Sequence, residues 1–186
     1  MMAADIPIIK LKIIKRGFWD FSEDIPLLTV SAHPSQSFQR IKEEIDIFNT
    51  WKKYNPGLPF DNLRYHGGNV FLIDVDCVAL FGAPCGSHRK LTVTIICPSS
   101  YPRAFPRLAE NPRNLHDRIF REYVSRATRH AVYMCIPAIQ RIWWYRNTPY
   151  AGIAHFLNIF LIWFSISSER VKKTKIDFFD KRTTFV

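Results

Sequence analysis

The sequence predicts a mixed α+β domain in which a helix precedes an antiparallel meander and a second helix closes the fold. Three observations predict it. Phe38, Ile41, Ile45, Phe48 and Trp51 recur at spacings of three and four, which puts them on one face of a helix. Phe71, Ile73, Val75, Cys77 and Ala79 alternate with Asp74 and Asp76, and Leu91, Val93, Ile95 and Cys97 alternate with Thr92 and Thr94, the two-residue period of half-buried strands. Ile153, Phe156, Leu157, Phe160, Leu161 and Phe164 form a second helical stripe.

In chain order, residues 1–34 read as an N-terminal extension or strand arm, residues 35–170 as the domain, and residues 171–186 as a basic tail. In the arm, Ile9, Leu11 and Ile13 alternate with Lys10 and Lys12, Phe18, Trp19 and Phe21 follow Gly17, and a second apolar run follows at Pro26–Val30, so a hairpin or an arm packed on the domain is expected. Pro34-Ser35-Gln36-Ser37 offers serines that can cap the first helix, Lys42, Glu43, Glu44 and Asp46 lie off its apolar stripe, and Asn55-Pro56-Gly57 stops it. His66-Gly67-Gly68-Asn69 and Gly82-Ala83-Pro84-Cys85-Gly86 turn the chain around the predicted strands, and the second turn is expected to expose Cys85. Strands joined by tight turns are antiparallel, with one face for a helix to cover. Pro102 and Pro106 withhold N–H donors and make the next segment a rigid turn, with Tyr101 and Phe105 available to pin it. The connector, residues 107–129, suggests a helix around Leu115, Ile119 and Tyr123 capped by Asn114. The last helix is apolar on both faces, since Ile159, Ile162 and Trp163 join the stripe, so it belongs in a core or a bilayer. The run is shorter than the roughly 20 residues a span requires and carries His155 and Asn158, which favours the core.

Hydrophobic residues make up 47% of the 186 residues, enough for a sizeable core, and 23% charged residues excludes a disordered polar chain. The net charge of +10 suits an acidic partner, nucleic acid or membrane surface without choosing among them. The first residues lack the apolar core of a secretory signal, so a reducing cytoplasm is expected. The four cysteines, Cys77, Cys85, Cys97 and Cys135, show no two-residue spacing of a zinc knuckle, and neither cofactor nor metal is expected. Cys77 and Cys97 fall on buried strand faces. Cys135 lies outside every periodic element, after Arg113, Arg118, Arg121, Arg126 and Arg129 and close to His130, and positive surroundings favour a thiolate. By residue type alone it reads more readily as one more small buried hydrophobe.

A strand leading into Tyr101-Pro102 and Pro106, then a connector, the Met134-Cys135-Ile136-Pro137 stretch, Trp143, Trp144 and Pro149, and a final helix: this order resembles the ubiquitin-conjugating enzyme family over roughly residues 37–168, above all its divergent bacterial branch. The resemblance implies a ubiquitin-conjugating-enzyme-like fold, an N-terminal helix on a four-stranded antiparallel meander with a C-terminal helix. It implies that Cys135 is a nucleophile carrying a partner protein's C-terminus as a thioester for transfer to an amine. The partners implied are an activating-enzyme-like protein and, as cargo, a ubiquitin-like protein or a cGAS-like nucleotidyltransferase, as in antiviral-defence operons. No nucleic acid and no membrane is expected.

The His-Pro-Asn tripeptide of the eukaryotic family, whose asparagine steadies the oxyanion, is absent here. His130 is a candidate for that role, with Asn114 and His116 as further possible donors. From Arg103 to Arg146 there are nine arginines and no lysine, a composition that suits an interface or withholds amines from a thioester. Two rival readings remain: an inactive binding module on the same fold, and a nucleic-acid binder using the arginines with Trp143, Trp144 and Tyr145. A zinc hydrolase built on His116, His130 and Cys135 lacks a regular ligand spacing.

Overall fold

The computed structural model describes residues 12–13, 19–20, 37–129, 144 and 151–168. Two short strands, β1 (Lys12–Ile13) and β2 (Trp19–Asp20), pair antiparallel, which agrees with a hairpin in the N-terminal arm. The domain follows: α1 (Phe38–Tyr54), β3 (Phe60–Gly67), β4 (Val70–Asp76), α2 (Cys77–Phe81), β5 (Lys90–Ile96), β6 (Arg107–Leu108), α3 (Leu115–Thr128) and α4 (Ile153–Ser167). The four strands form one antiparallel sheet in the order β3-β4-β5-β6, so the α+β class with a meander holds.

Helix α1 starts where predicted. Ser37 Oγ accepts the Arg40 N–H at 3.1 Å, and Lys52 and Lys53 sit in the last turn, where the helix dipole favours cations. Its buried face is rotated from the expected one. Arg40, Glu44, Phe48 and Trp51 are buried, Ile41 and Ile45 are half-buried, and Phe38 is 82% exposed. Glu44 therefore lies on the stripe, because Arg40 one turn earlier supplies the opposite charge that makes its burial tolerable.

The β3–β4 turn is tighter than the four residues expected. Gly67 pairs with Val70, leaving a two-residue connection in which Gly68 takes φ +58°. Strand β4 ends sooner than its alternation suggests. Asp76 Oδ1 accepts the Ala79 N–H at 2.9 Å, so the chain coils into α2 and Cys77 and Ala79 are helical. Cys85 is buried, contrary to the exposure expected of a glycine-proline turn. Its backbone exchanges two hydrogen bonds with His88, at 2.9 and 3.0 Å, which curls the loop back onto the core.

Side chains of Phe60, Phe71, Ile73, Val75, Leu91, Val93 and Ile95 form the apolar face of the sheet. Helix α4 meets it through Phe160, whose ring lies 6.1 Å from Phe60 and 5.9 Å from Phe120 of α3. Helix α1 lies along β3 and also touches α4. Each fully buried ring or branched side chain contributes about 1.5–3 kcal/mol. No helix among the described residues is long and apolar enough to cross a membrane.

Strand β6 is only two residues, and beyond it α3 takes over the edge of β5. Asp117 accepts the Thr94 N–H at 2.9 Å and the Thr94 hydroxyl, and His116 Nδ1 accepts the Thr92 N–H at 2.9 Å. Asn114 donates to Thr92 O at 3.3 Å, and the Ala109 N–H donates to Thr94 O at 2.6 Å. Backbone groups that a longer strand would pair are thus satisfied by side chains. Asn114 caps α3 as expected, accepting the His116 N–H at 2.9 Å. The buried stripe is Asp117, Phe120, Val124 and Thr128, with Ile119 and Tyr123 only half-buried and Leu115 52% exposed. Docking by Asp117 and His116 sets that rotation.

Candidate functional site

Cys135 and His130 lie outside the described residues, as do Trp143 and Tyr145. The structure describes the frame on either side of them. On the N-terminal side α3 ends at Thr128, whose hydroxyl donates to Val124 O at 2.8 Å. Arg129 then takes φ +59° and closes the helix through a 2.7 Å bond from its N–H to Ser125 O. On the C-terminal side Trp144 is fully buried and its Nε1–H donates to Pro102 O at 2.8 Å. Its ring packs 4.9 Å from Phe105 and 6.3 Å from Tyr101, and Phe105 in turn meets Phe156 of α4 at 5.2 Å. The tyrosine-proline turn, which has a cis Tyr101–Pro102 bond, is therefore the seat of Trp144.

A buried polar cluster lies beneath that turn. Arg40 Nε donates to Glu44 Oε1 at 2.8 Å, and Arg40 also donates to Ala151 O at 3.0 Å and to the Tyr101 hydroxyl at 3.4 Å. The Tyr101 hydroxyl donates to Glu44 Oε1, and Glu44 Oε2 accepts the Ile153 N–H at 2.7 Å. Burial works against the Arg40 charge, but Glu44 and Tyr101 beside it hold the guanidinium above its ordinary range. Burial first, and then the Glu44 charge, push the Tyr101 phenol well up, so it stays a neutral donor. Helix α1, the tyrosine-proline turn and the start of α4 are thereby tied into one rigid support. Sequence reasoning placed Tyr101 here but missed Arg40 and Glu44. Their signal is positional: an i, i+4 opposite-charge pair in register with Phe48 and Trp51.

The remaining predicted donors are engaged elsewhere. Asn114 and His116 bind the β5 edge, and the ring of His116 lies 5.1 Å from that of His88. Trp144 is closed to a nucleobase by its burial, which removes one of the stacking residues a nucleic-acid binder would use here. Among the described residues no group of three His, Cys, Asp or Glu side chains could hold a metal.

Cys77, Cys85 and Cys97 are free and buried, and burial pushes the Cys85 and Cys97 thiols far above the ordinary range. A protonated, inaccessible thiol is a poor nucleophile. The three described cysteines are thus poorly placed for nucleophilic chemistry. No family model, no curated protein and no solved structure matches the chain.

Proposed function

We propose that this chain is a bacterial ubiquitin-conjugating-like transferase acting through Cys135. The observation that carries the reading is the seating of Trp144, nine residues after Cys135, on the tyrosine-proline turn that connects β5 to β6 of a sequential four-stranded meander. The order helix, three strands, tyrosine-proline turn, short fourth strand, connector helix, cysteine stretch and closing helix supports a ubiquitin-conjugating-enzyme-like fold. The burial of the other three cysteines supports Cys135 as the nucleophile.

In this mechanism an activating-enzyme-like partner delivers a protein whose C-terminal carboxyl is already a thioester. The Cys135 thiolate attacks that carbonyl, and the partner's thiolate leaves. A target amine then attacks the Cys135 thioester. The C–S bond breaks, an amide forms, and the amine's proton leaves with the restored thiol or a nearby base. His130, directly after the end of α3, is proposed as donor to the tetrahedral oxyanion. The cargo is a ubiquitin-like protein or a cGAS-like nucleotidyltransferase, the setting is antiviral defence in the cytoplasm, and neither nucleic acid nor membrane takes part.

The test is covalent trapping. The chain is co-expressed with its neighbouring genes and run with and without reductant, as wild type, Cys135→Ala and Cys135→Ser. A reductant-sensitive adduct is expected in the wild type, none in the alanine variant, and a reductant-stable oxyester in the serine variant. Co-purifying partners with no adduct in any form would instead make the chain a non-catalytic binding module.

A further inference from the structure

The inner face of α3 belongs to the core: Asp117, Phe120, Val124 and Thr128 are buried, and Asp117 and His116 fasten the helix to β5. The outer face is open. At 100° per residue, Leu115, Arg118, Glu122 and Arg126 fall within an arc of about 80°, at successive spacings of three, four and four. All four are exposed, Leu115 by 52%. Together they run about 16 Å along the helix. Ile119, half-buried one turn after Leu115, widens the apolar end of the line. Positive charge dominates this face. Arg113 and Arg129, also exposed, carry it past both ends of the helix, while Asp117 is turned inward onto Thr94 and Glu122 already pairs with Arg126. Asn114 caps the helix and Arg129 closes it, so the face is presented to a partner without a cost of ordering.

We infer that the outer face of α3 is a docking surface for an acidic, amphipathic segment of another protein. A guanidinium is a planar fork with five donors, so Arg126 can take a second carboxylate while it holds Glu122. Leu115 and Ile119 give the partner an apolar anchor beside the charges, and an amphipathic helix carries its own anchors at the same spacing of three and four. A second copy of this face would set arginine against arginine, which repels. A nucleic-acid strand fits less well. Glu122 stands in the middle of the line and repels phosphate. The ring beside it, Tyr123, lies under the Arg126 guanidinium at 5.6 Å and packs 5.7 Å from Phe81, and its hydroxyl accepts the Gly86 N–H at 2.6 Å. That ring is occupied and offers no platform for a base. A contact one helix wide is small, of the size that serves transient recognition. The surface does not depend on the transferase reading.

The test is fluorescence anisotropy on the full chain with a labelled helical peptide of leucines and glutamates at that spacing. The same peptide with glutamine in place of glutamate, and an oligothymidine strand, are the comparison probes. The variants are Arg118→Glu/Arg126→Glu, Leu115→Ser and, as a control on α1, Lys42→Glu/Lys53→Glu, which changes the net charge by the same amount as the arginine pair. The acidic peptide is expected to bind the wild type and the glutamine peptide to fail. The arginine reversal should weaken binding at least about tenfold, Leu115→Ser about threefold, and the lysine control less than about twofold. Should the arginine reversal lower the urea midpoint, Arg118→Gln/Arg126→Gln, which puts no repulsion on Glu122, decides by a loss of about threefold or more. Equal weakening in the arginine and lysine pairs would reduce the effect to net charge and overturn the inference. So would tighter binding of oligothymidine that is lost in the same arginine variant, which would make the face a reader of phosphates. Failure of the acidic peptide to bind the wild type overturns it outright.

Discussion

Glu44, in the middle of α1, accepts the backbone N–H of Ile153, the first residue of α4, at 2.7 Å. One carboxylate thus caps a helix that begins 109 positions later. The dipole of α4 favours that negative charge, and Arg40 balances it. His155 adds the second cap, its Nδ1 accepting the Gly152 N–H at 2.8 Å.

Removing Glu44 alone leaves the Arg40 guanidinium buried and uncompensated. Glu44→Ala is expected to cost about 3–5 kcal/mol, read as a lowered urea midpoint. The double variant Arg40→Met/Glu44→Leu should lose much less, because no charge is left without a partner. Equal losses in the single and double variants would show that the pair is not coupled.

Trp144 is seated on the tyrosine-proline turn. Trp144→Ala should cost about 3–5 kcal/mol through the cavity it leaves. Trp144→Phe keeps most of the packing and removes the bond to Pro102 O, worth about 1 kcal/mol. If that seat positions Cys135, the phenylalanine variant should form the thioester more slowly while its unfolding midpoint moves little. Unchanged thioester formation would restrict Trp144 to a packing role.

Thiol labelling separates the cysteines. With a chromogenic disulfide reagent on native protein, one thiol should react quickly, and mapping should place it at Cys135. Cys77, Cys85 and Cys97 should react only as the protein unfolds, since all three are buried. Fast labelling of Cys85 would contradict the loop geometry that hides it.

Two aspartates should shape the acid limb with opposite signs. Burial alone would raise Asp74, but hydrogen bonds from Asn62, Thr92 and Arg64 outweigh it and hold this carboxyl below its ordinary value. Its stabilisation is present above the unfolded value of about 3.9 and is lost as pH falls through the lower folded value. Asp117 is raised, burial outweighing the bonds from Thr94 and Asn111. Its contribution is largest below the unfolded value and is lost as pH rises through the folded one. Urea midpoints between pH 2 and 6 should therefore show a shallower acid loss in Asp74→Asn and a steeper one in Asp117→Asn. Parallel profiles would mean that neither group is linked to folding.

Helices α1, α3 and α4 and the two central strands were legible because each buries a long face, and apolar residues then repeat at 3.6 or 2 positions. The rest depended on contacts between distant residues. Strand β6 is too short to show a period. Asp76 ends β4 by bonding three residues ahead, which apolar alternation does not register. Cys85 is hidden by a two-bond exchange with His88. The inward turn of Arg40 and Glu44 is visible only once Tyr101, Ala151 and Ile153 surround them.

Local pattern was enough for the α+β class, the order of the central elements, the start of α1 at Ser37, the Asn114 cap and the burial of α4, because near neighbours in the chain determine each of these. Which charged groups are buried, which way α1 and α3 face, and where Trp144 is seated depended on assembly. A charge enters a core only where opposite charge and hydrogen-bonding partners converge on it, and here those partners come from α1, the tyrosine-proline turn and the first turn of α4 together.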